Sequence, residues 1–243
     1  MQIRVSKGVE YITEPMKRKY GLADYTDDTL PCVFAGFYYT ADFESIRSHR
    51  GQKIALWCGS DAKGCRPEYL QGARHIAMSR CVQDTLRKKG ISSEVHNVTP
   101  TESFFAPVKR GDKVYMYTDG TAKYGSHLDL KLPFEVIQAH KGTYSNAQLF
   151  DIYRECFINL RLTTHDGLPN TNLEMGMLGR RSIFNGDIPH SIGWRTVEDI
   201  REAVMKEYER EDDTEPVAKD ISEYIKTDYS WMQGKKLERK EGS

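Results

Sequence analysis

The sequence lacks the features that mark several large protein classes. Its five cysteines are odd in number and scattered, with no CxxC pair and no His-rich spacing beside them. That pattern argues against a disulfide framework and a structural zinc site, and it points to a reducing, cytoplasmic setting. No window approaches the ~20 apolar residues of a membrane-spanning helix. The N-terminus has no basic segment followed by an apolar run, so the chain reads as soluble. Net charge is missing as well: 35 Lys and Arg balance 35 Asp and Glu, which leaves no field to attract nucleic acid or an anionic membrane. No GxGxxG follows a strand-like run, which weighs against a dinucleotide-binding oxidoreductase. Internal repeats and low-complexity tracts are absent.

What is present is an alternation of short apolar runs and amphipathic helical stretches over 243 residues, long enough for two small domains. Residues 2–5 suggest an edge strand and residues 15–20 a short basic helix. From Pro31 the pattern sharpens into strand 32–35, loop 36–40 with Gly36 at its head, helix 41–49 capped by Thr40, and strand 53–58. This is a βαβ unit, and it implies a parallel sheet. Asp61 follows that strand in Cys58-Gly59-Ser60-Asp61, where an acid is either a turn former or a group facing a ligand. Strand 73–78, helix 79–89 and a strand near 94–98 continue the series. His75 falls where the sheet is buried and reads as a core histidine.

The period loosens between residues 98 and 112, where Pro100, Pro107 and Gly111 mark a connection. Phe104 and Phe105 in it are expected to pack against the hinge. The expected domains are 1–108, 109–215 and a crossover segment 216–243. Strand 113–118 opens the second domain. It is followed by the loop bearing Lys123, a short amphipathic piece over 128–132, and strand 134–139.

The most informative stretch is 144–186. Ser145 with Gln148 has the form of a capping box, and Leu149, Ile152, Tyr153 and Cys156 make a buried helical stripe. A short apolar strand at 157–162 carries one charge, Arg161. Gly167 and Pro169 then break the chain, Thr171 and Glu174 form a second capping-box pattern, and Gly179 stands where the helix should stop. Such a unit sets its loop at the carboxyl end of a parallel strand, where open α/β sheets bind ligands. The loop also abuts a helix N-terminus, which favours phosphate. Residues 187–194 read as loop, 196–209 as a long helix and 216–232 as another, before a polar tail over the last ten residues.

Asp166 and Glu174 enclose seven residues that begin Gly167-Leu168-Pro169. This spacing resembles the acid-x7-acid motif of the retaining, family-4 glycosyltransferases, and more loosely the compact glycosyltransferases of chloroviruses. The resemblance implies a GT-B fold: two Rossmann-like parallel-sheet domains facing a cleft, acceptor on the N-terminal side and donor on the C-terminal side, with a terminal helix crossing back. It implies a UDP- or GDP-sugar donor and a glycan or glycoprotein acceptor, with no cofactor, no metal and no nucleic acid. By position, Asp166 would hold the donor sugar as the catalytic acid residue and Asp61 would face the acceptor. Gly167 and Leu168 would offer backbone N–H groups, Glu174 would grip the ribose, and Gly36, Pro169, Asn170 and Thr171 would complete the donor site. Lys123 and Arg161, or else Arg180, would meet the diphosphate, and residues 141–144 would contact the base. The first acid is Asp where the family has Glu, and the family's Phe-Gly pair is missing, which bears on the sugar rather than on the loop. A catalytically idle nucleotide-sugar binding module would share all of these features.

Overall fold

The computed structural model describes residues 1–101, 104–140, 142–163, 166–211, 213–226 and 230–232, the side chains of Asn146 and Ser230 excepted. The chain forms two compact units, Met1–Pro100 with Thr227–Ser243, and Thr101–Lys226.

The first unit is built on strands β1 (Gln2–Val5), β2 (Ala23–Asp24), β3 (Cys32–Ala35), β4 (Lys53–Trp57), β5 (Ala73–Ala77) and β6 (Glu94–Val95), in the order β2-β1-β3-β4-β5-β6. Every pairing is parallel. The stretch expected at an edge is therefore interior, because β2, only two residues long, takes the edge. Helix α1 (Glu10–Tyr20) starts five residues before Pro15, burying Ile12 and Met16 one turn apart and closing on Gly21 in the left-handed region. Helices α2 (Thr40–Ser48) and α3 (Arg80–Arg87) bury Phe43, Ile46, Val82 and Leu86 against Phe34, Phe37 and Trp57. Each such side chain contributes about 1.5–3 kcal/mol of transfer free energy. Thr40 is the first helical residue of α2 and not its cap. Buried Asp42 serves that end, accepting the N–H groups of Tyr38 and Tyr39 and the hydroxyl of Ser6. His75 accepts from the Trp57 indole at 3.2 Å, and burial lowers its pKa, as befits a core histidine. Trp231 and Met232 are buried in this unit, where Arg74 donates to the Trp231 carbonyl.

The second unit contains β7 (Lys113–Tyr117), β8 (Val136–Ala139), β9 (Cys156–Leu160), β10 (Arg181–Ile183) and β11 (Ser191–Ile192), in the order β11-β10-β9-β7-β8, again all parallel. Helices α4 (Asn146–Glu155), α5 (Asn170–Met177), α6 (Val197–Glu209) and α7 (Thr214–Tyr224) complete it. Strand alternation assigns the two faces. Val114, Met116, Ile158 and Leu160 pack with Ile200 and Val204 of α6, while Tyr115 packs with Tyr153 of α4 and Met175 of α5. β11 lies within the stretch expected to be loop; two residues are too few to show a period. Residues 128–132 form no helix, although Leu128, Leu130 and Leu132 join the core. Phe104 packs against Phe150 with the rings tilted, while Phe105 is exposed. The final helix ends at Tyr224, and a separate 3-10 turn spans Ser230–Met232. Among the described residues, no helix is long and apolar enough to cross a membrane.

In both sheets the first strand is flanked by the second on one side and the third on the other, so the winding reverses there. In the second unit this switch lies between β7 and β9.

α5 and α7 meet closely: a Cβ on Gly176 would sit 2.7 Å from Ile221, whereas one on Gly64 would meet nothing within 4 Å. Gly176→Ala is expected to destabilise the protein by ~1–3 kcal/mol through overpacking. Gly64→Ala should leave the urea midpoint nearly unchanged.

Candidate functional site

Ligands of open parallel sheets bind outside the carboxyl ends of the strands at the switch point, where neighbouring connections leave in opposite directions. In the second unit that place is defined by the end of β7 and the end of β9. Tyr115 is in register with Asn159 and Met116 with Leu160, so one step further Tyr117 stands beside Arg161 on the α5 face.

Arg161 is 7% exposed. Its guanidinium lies 4.0 Å from the Tyr117 ring centroid and 4.5 Å from that of Tyr124, which belongs to the 3-10 turn Ala122–Tyr124. Those two rings meet edge to face at 5.0 Å. Nε and Nη2 of Arg161 both donate to Asp166 Oδ2, at 2.8 and 2.5 Å. Burial opposes the Arg161 charge, but the Asp166 carboxylate and the two phenols hold its pKa above the ordinary value. Lys123 is exposed, with its ammonium 4.7 Å from the other participant ring, Tyr124. The structure thus brings together Lys123, Arg161 and Asp166 of the expected site, and it adds Tyr117 and Tyr124. The alternation of Val114-Tyr115-Met116-Tyr117 already places both tyrosines on one face; nothing in the sequence pattern marks them as partners of Arg161.

The Arg161 guanidinium, expected at the diphosphate, is packed against two rings and bonded twice to the Asp166 carboxylate. Arg180 is held by backbone carbonyls instead. It is 1% exposed and donates to the carbonyls of Val108, Lys109, Arg154, Cys156 and Leu178, which pins the start of β9 to the connection before β7.

The loop leads directly into α5. Asp166 Oδ1 accepts the N–H of Gly167 at 2.9 Å, so that amide already has a partner. Gly167, Leu168 and Pro169 are buried, while Asn170 and Thr171 are half-buried in the first turn. The helix begins at Asn170 with Pro169 as its N-cap and no side-chain cap, so Thr171 and Glu174 form no capping box. Glu174 instead turns inward. Tyr153 of α4 donates its hydroxyl to Glu174 Oε2 at 3.1 Å, and Thr101 also hydrogen-bonds the carboxyl. Burial outweighs both and pushes Glu174 up to about 7. Tyr153 is itself bonded to Tyr115, their rings edge to face at 5.0 Å, and Tyr115 feels the Arg161 charge. The two acids of the motif are therefore linked through the core by Tyr153, Tyr115 and Arg161.

Two expected residues lie in the first unit. Gly36 follows β3 with φ +76°, and a Cβ there would press on Val9 and Ser6 at 3.0 and 3.1 Å. Asp61 is 2% exposed. Its carboxylate accepts the N–H groups of Phe37, Cys58, Gly59 and Ala62, tying the loops after β3 and β4 together, and burial raises its pKa to about 6. An acid so enclosed organises the two turns, and its carboxylate oxygens are occupied by these amides. Lys141, of the stretch expected at the base, and Thr164 and His165, of the loop before Asp166, lie outside the described residues.

No protein-family model matches the chain, and no curated protein matches its sequence. Solved structures match its fold. A mutant of S. aureus TarM, in complex with fondaparinux, alpha-GlcNAc-glycerol and UDP, aligns with a TM-score of 0.60 at 9% identity over 85% of this chain and 55% of that one. Sucrose-phosphate synthase from Thermosynechococcus elongatus aligns at 0.58 and 10% identity, over 87% and 71% of the two chains. The pneumococcal O-GlcNAc transferase GtfA, in complex with UDP and GlcNAc, aligns at 0.54 and 10% identity, over 88% and 56%. The likeness at such identities is one of fold: GT-B, with two Rossmann-like parallel sheets. The chain spans little more than half the length of the TarM chain, at 55%. These three are bacterial proteins, so the resemblance to chloroviral enzymes is carried by none of them.

The raised pKa of Glu174 makes a stability prediction. Between its ordinary value of 4.5 and about 7, the folded protein keeps a proton that the unfolded chain has released, so stability falls as pH rises through that window and levels off above it. Glu174→Gln removes this term. The variant should gain on the wild type by up to about 3 kcal/mol from pH 5 to pH 8, read from urea unfolding at each pH.

Proposed function

We propose that the protein is a retaining glycosyltransferase that moves a hexose from a UDP- or GDP-sugar to a glycan or glycoprotein acceptor, with the second unit as the donor side and the first, shortened, as the acceptor side. The observation that carries this reading is the placement of the acid-x7-acid segment. Asp166 stands at the switch point, held by Arg161, and the loop after it runs into the N-terminus of α5. Glu174 is on the same helix with its carboxyl engaged by hydroxyl donors.

The chemistry explains the choice of groups. As the bond between the anomeric carbon and the phosphate oxygen breaks, the diphosphate gains negative charge and the sugar becomes oxocarbenium-like. Lys123 and the amides and dipole at the start of α5 would meet the first charge. Asp166 would orient the sugar, its carboxylate favouring the developing cation. The acceptor oxygen bonds to the anomeric carbon on the face the diphosphate leaves, and its proton passes to a phosphate oxygen of the leaving group, which gives retention. Glu174 would accept the ribose hydroxyls. Exclusion of water from the donor would limit hydrolysis.

Calorimetry with UDP, GDP, NAD and the corresponding UDP- and GDP-sugars, followed by transfer assays on a glycan panel, tests the proposal. A nucleoside diphosphate is expected to bind and NAD not to. Binding of a sugar nucleotide with no transfer to any acceptor would favour the idle binding module. Asp166→Asn, which keeps an oxygen for Arg161, should lower kcat by ~10²-fold or more with donor affinity changed much less. Glu174→Ala should weaken donor binding by ~10-fold or more, the cost of a lost charged hydrogen-bond pair. Unchanged values in either variant would remove that residue from the site.

A further inference from the structure

Tyr153 has no role in the proposed chemistry, yet it lies wholly buried on α4 with its hydroxyl on Glu174 Oε2 at 3.1 Å. We propose that Tyr153 is a positioning residue: its hydroxyl, backed by Tyr115, orients the Glu174 carboxyl and favours its charged form, so that it can receive the vicinal hydroxyls of a ribose. This deepens the donor-site reading and rests on it.

The geometry leads there in steps. A carboxylate offers about four acceptor sites. Tyr153 takes one, and Thr101 is a second partner, which leaves capacity for two further donors. A vicinal diol supplies two. Glu174 sits at the fifth residue of α5, beyond the turn where the helix N-terminus would favour its charge. The charged and titratable groups that bear on it are few. Tyr153 comes from α4 and Tyr115 from β7, and Arg161, at the end of β9, acts on Tyr115. No Lys or Arg is bonded to the carboxyl among the described contacts, so hydroxyl donors oppose its desolvation in place of a cation. Two donated bonds from a ribose diol favour the ionised form, in which both oxygens accept, so nucleotide binding releases a proton when Glu174 starts protonated.

Two measurements on the whole protein decide the matter. The first is the pH titration of the Glu174 carboxyl by ¹³C NMR without ligand. Its midpoint should lie near 7 and move upward by ~0.5–1 unit in Tyr153→Phe, the effect of losing one hydrogen bond to the charged form. The second is calorimetry with UDP from pH 5.5 to 9. Wild-type affinity should rise through about pH 7 and flatten above it, while Tyr153→Phe should bind ~2–6-fold more weakly at pH 7 and approach the wild type at pH 9. Should Tyr153→Phe fail to fold, Tyr115→Phe, acting through Tyr153, should move the midpoint in the same direction by less. An unmoved Glu174 midpoint in these variants would overturn the inference, as would weakening of UDP binding by the same factor at every pH. A moved midpoint with a Glu174 signal that UDP does not perturb would overturn the donor-site reading instead, and the inference with it.

Discussion

A guanidinium taken almost out of water must have its charge answered at close range, and in the second unit Asp166 answers that of Arg161. Removing one member of such a buried pair commonly costs about 3–5 kcal/mol, because the other charge is left stranded. The pair fixes more than itself. It holds Asp166 at the end of β9, four residues before α5 begins. It also requires flat, electron-rich neighbours, which Tyr117 and Tyr124 provide from β7 and the turn after it. That turn reaches Arg161 because Gly125 adopts φ +75° and comes so near Leu162 that a Cβ would be 2.8 Å from its side chain. One charge thus sets the backbone of two loops.

Glu174 presents the complementary case, a half-buried acid with no cation bonded to it among the described residues. Tyr153 and Thr101 donate to it, and Tyr115 supports Tyr153, yet desolvation still dominates. Raised to about 7, this carboxyl ionises across the neutral range and weakens the fold as it does so. It is well suited to a ligand that brings hydroxyl donors. The two acids therefore differ in kind despite their common spacing: Asp166 is paired with a cation, whereas Glu174 accepts from hydroxyls.

Much of the architecture was legible because parallel βαβ winding depends on period and punctuation. The strands Cys32–Ala35, Lys53–Trp57, Lys113–Tyr117 and Cys156–Leu160 stand where short apolar runs meet turn residues. Local signals failed where tertiary contacts competed. Ser145 with Gln148 forms its capping box, but Thr171 with Glu174, the same pattern, does not, because Pro169 caps the helix two residues earlier and the buried Tyr153 takes Glu174. Likewise Thr40 yields to Asp42, whose partners include Ser6, 36 residues away. The charge of Arg161 in an apolar run was visible; its bond to a residue five positions on depends on a loop conformation that no period encodes. Asp61 carries the turn role that its Gly-Ser context allows, since four amides from two loops converge on it.

One loop and one helix start, at the switch between β7 and β9, make up the proposed nucleotide-sugar site. A crystal structure with UDP bound is the decisive measurement: the diphosphate should lie against the amides at the start of α5, with the ribose hydroxyls on the Glu174 carboxylate and Tyr153 still bonded to it. A nucleotide bound elsewhere on the chain, or one whose ribose leaves Glu174 untouched, would contradict it.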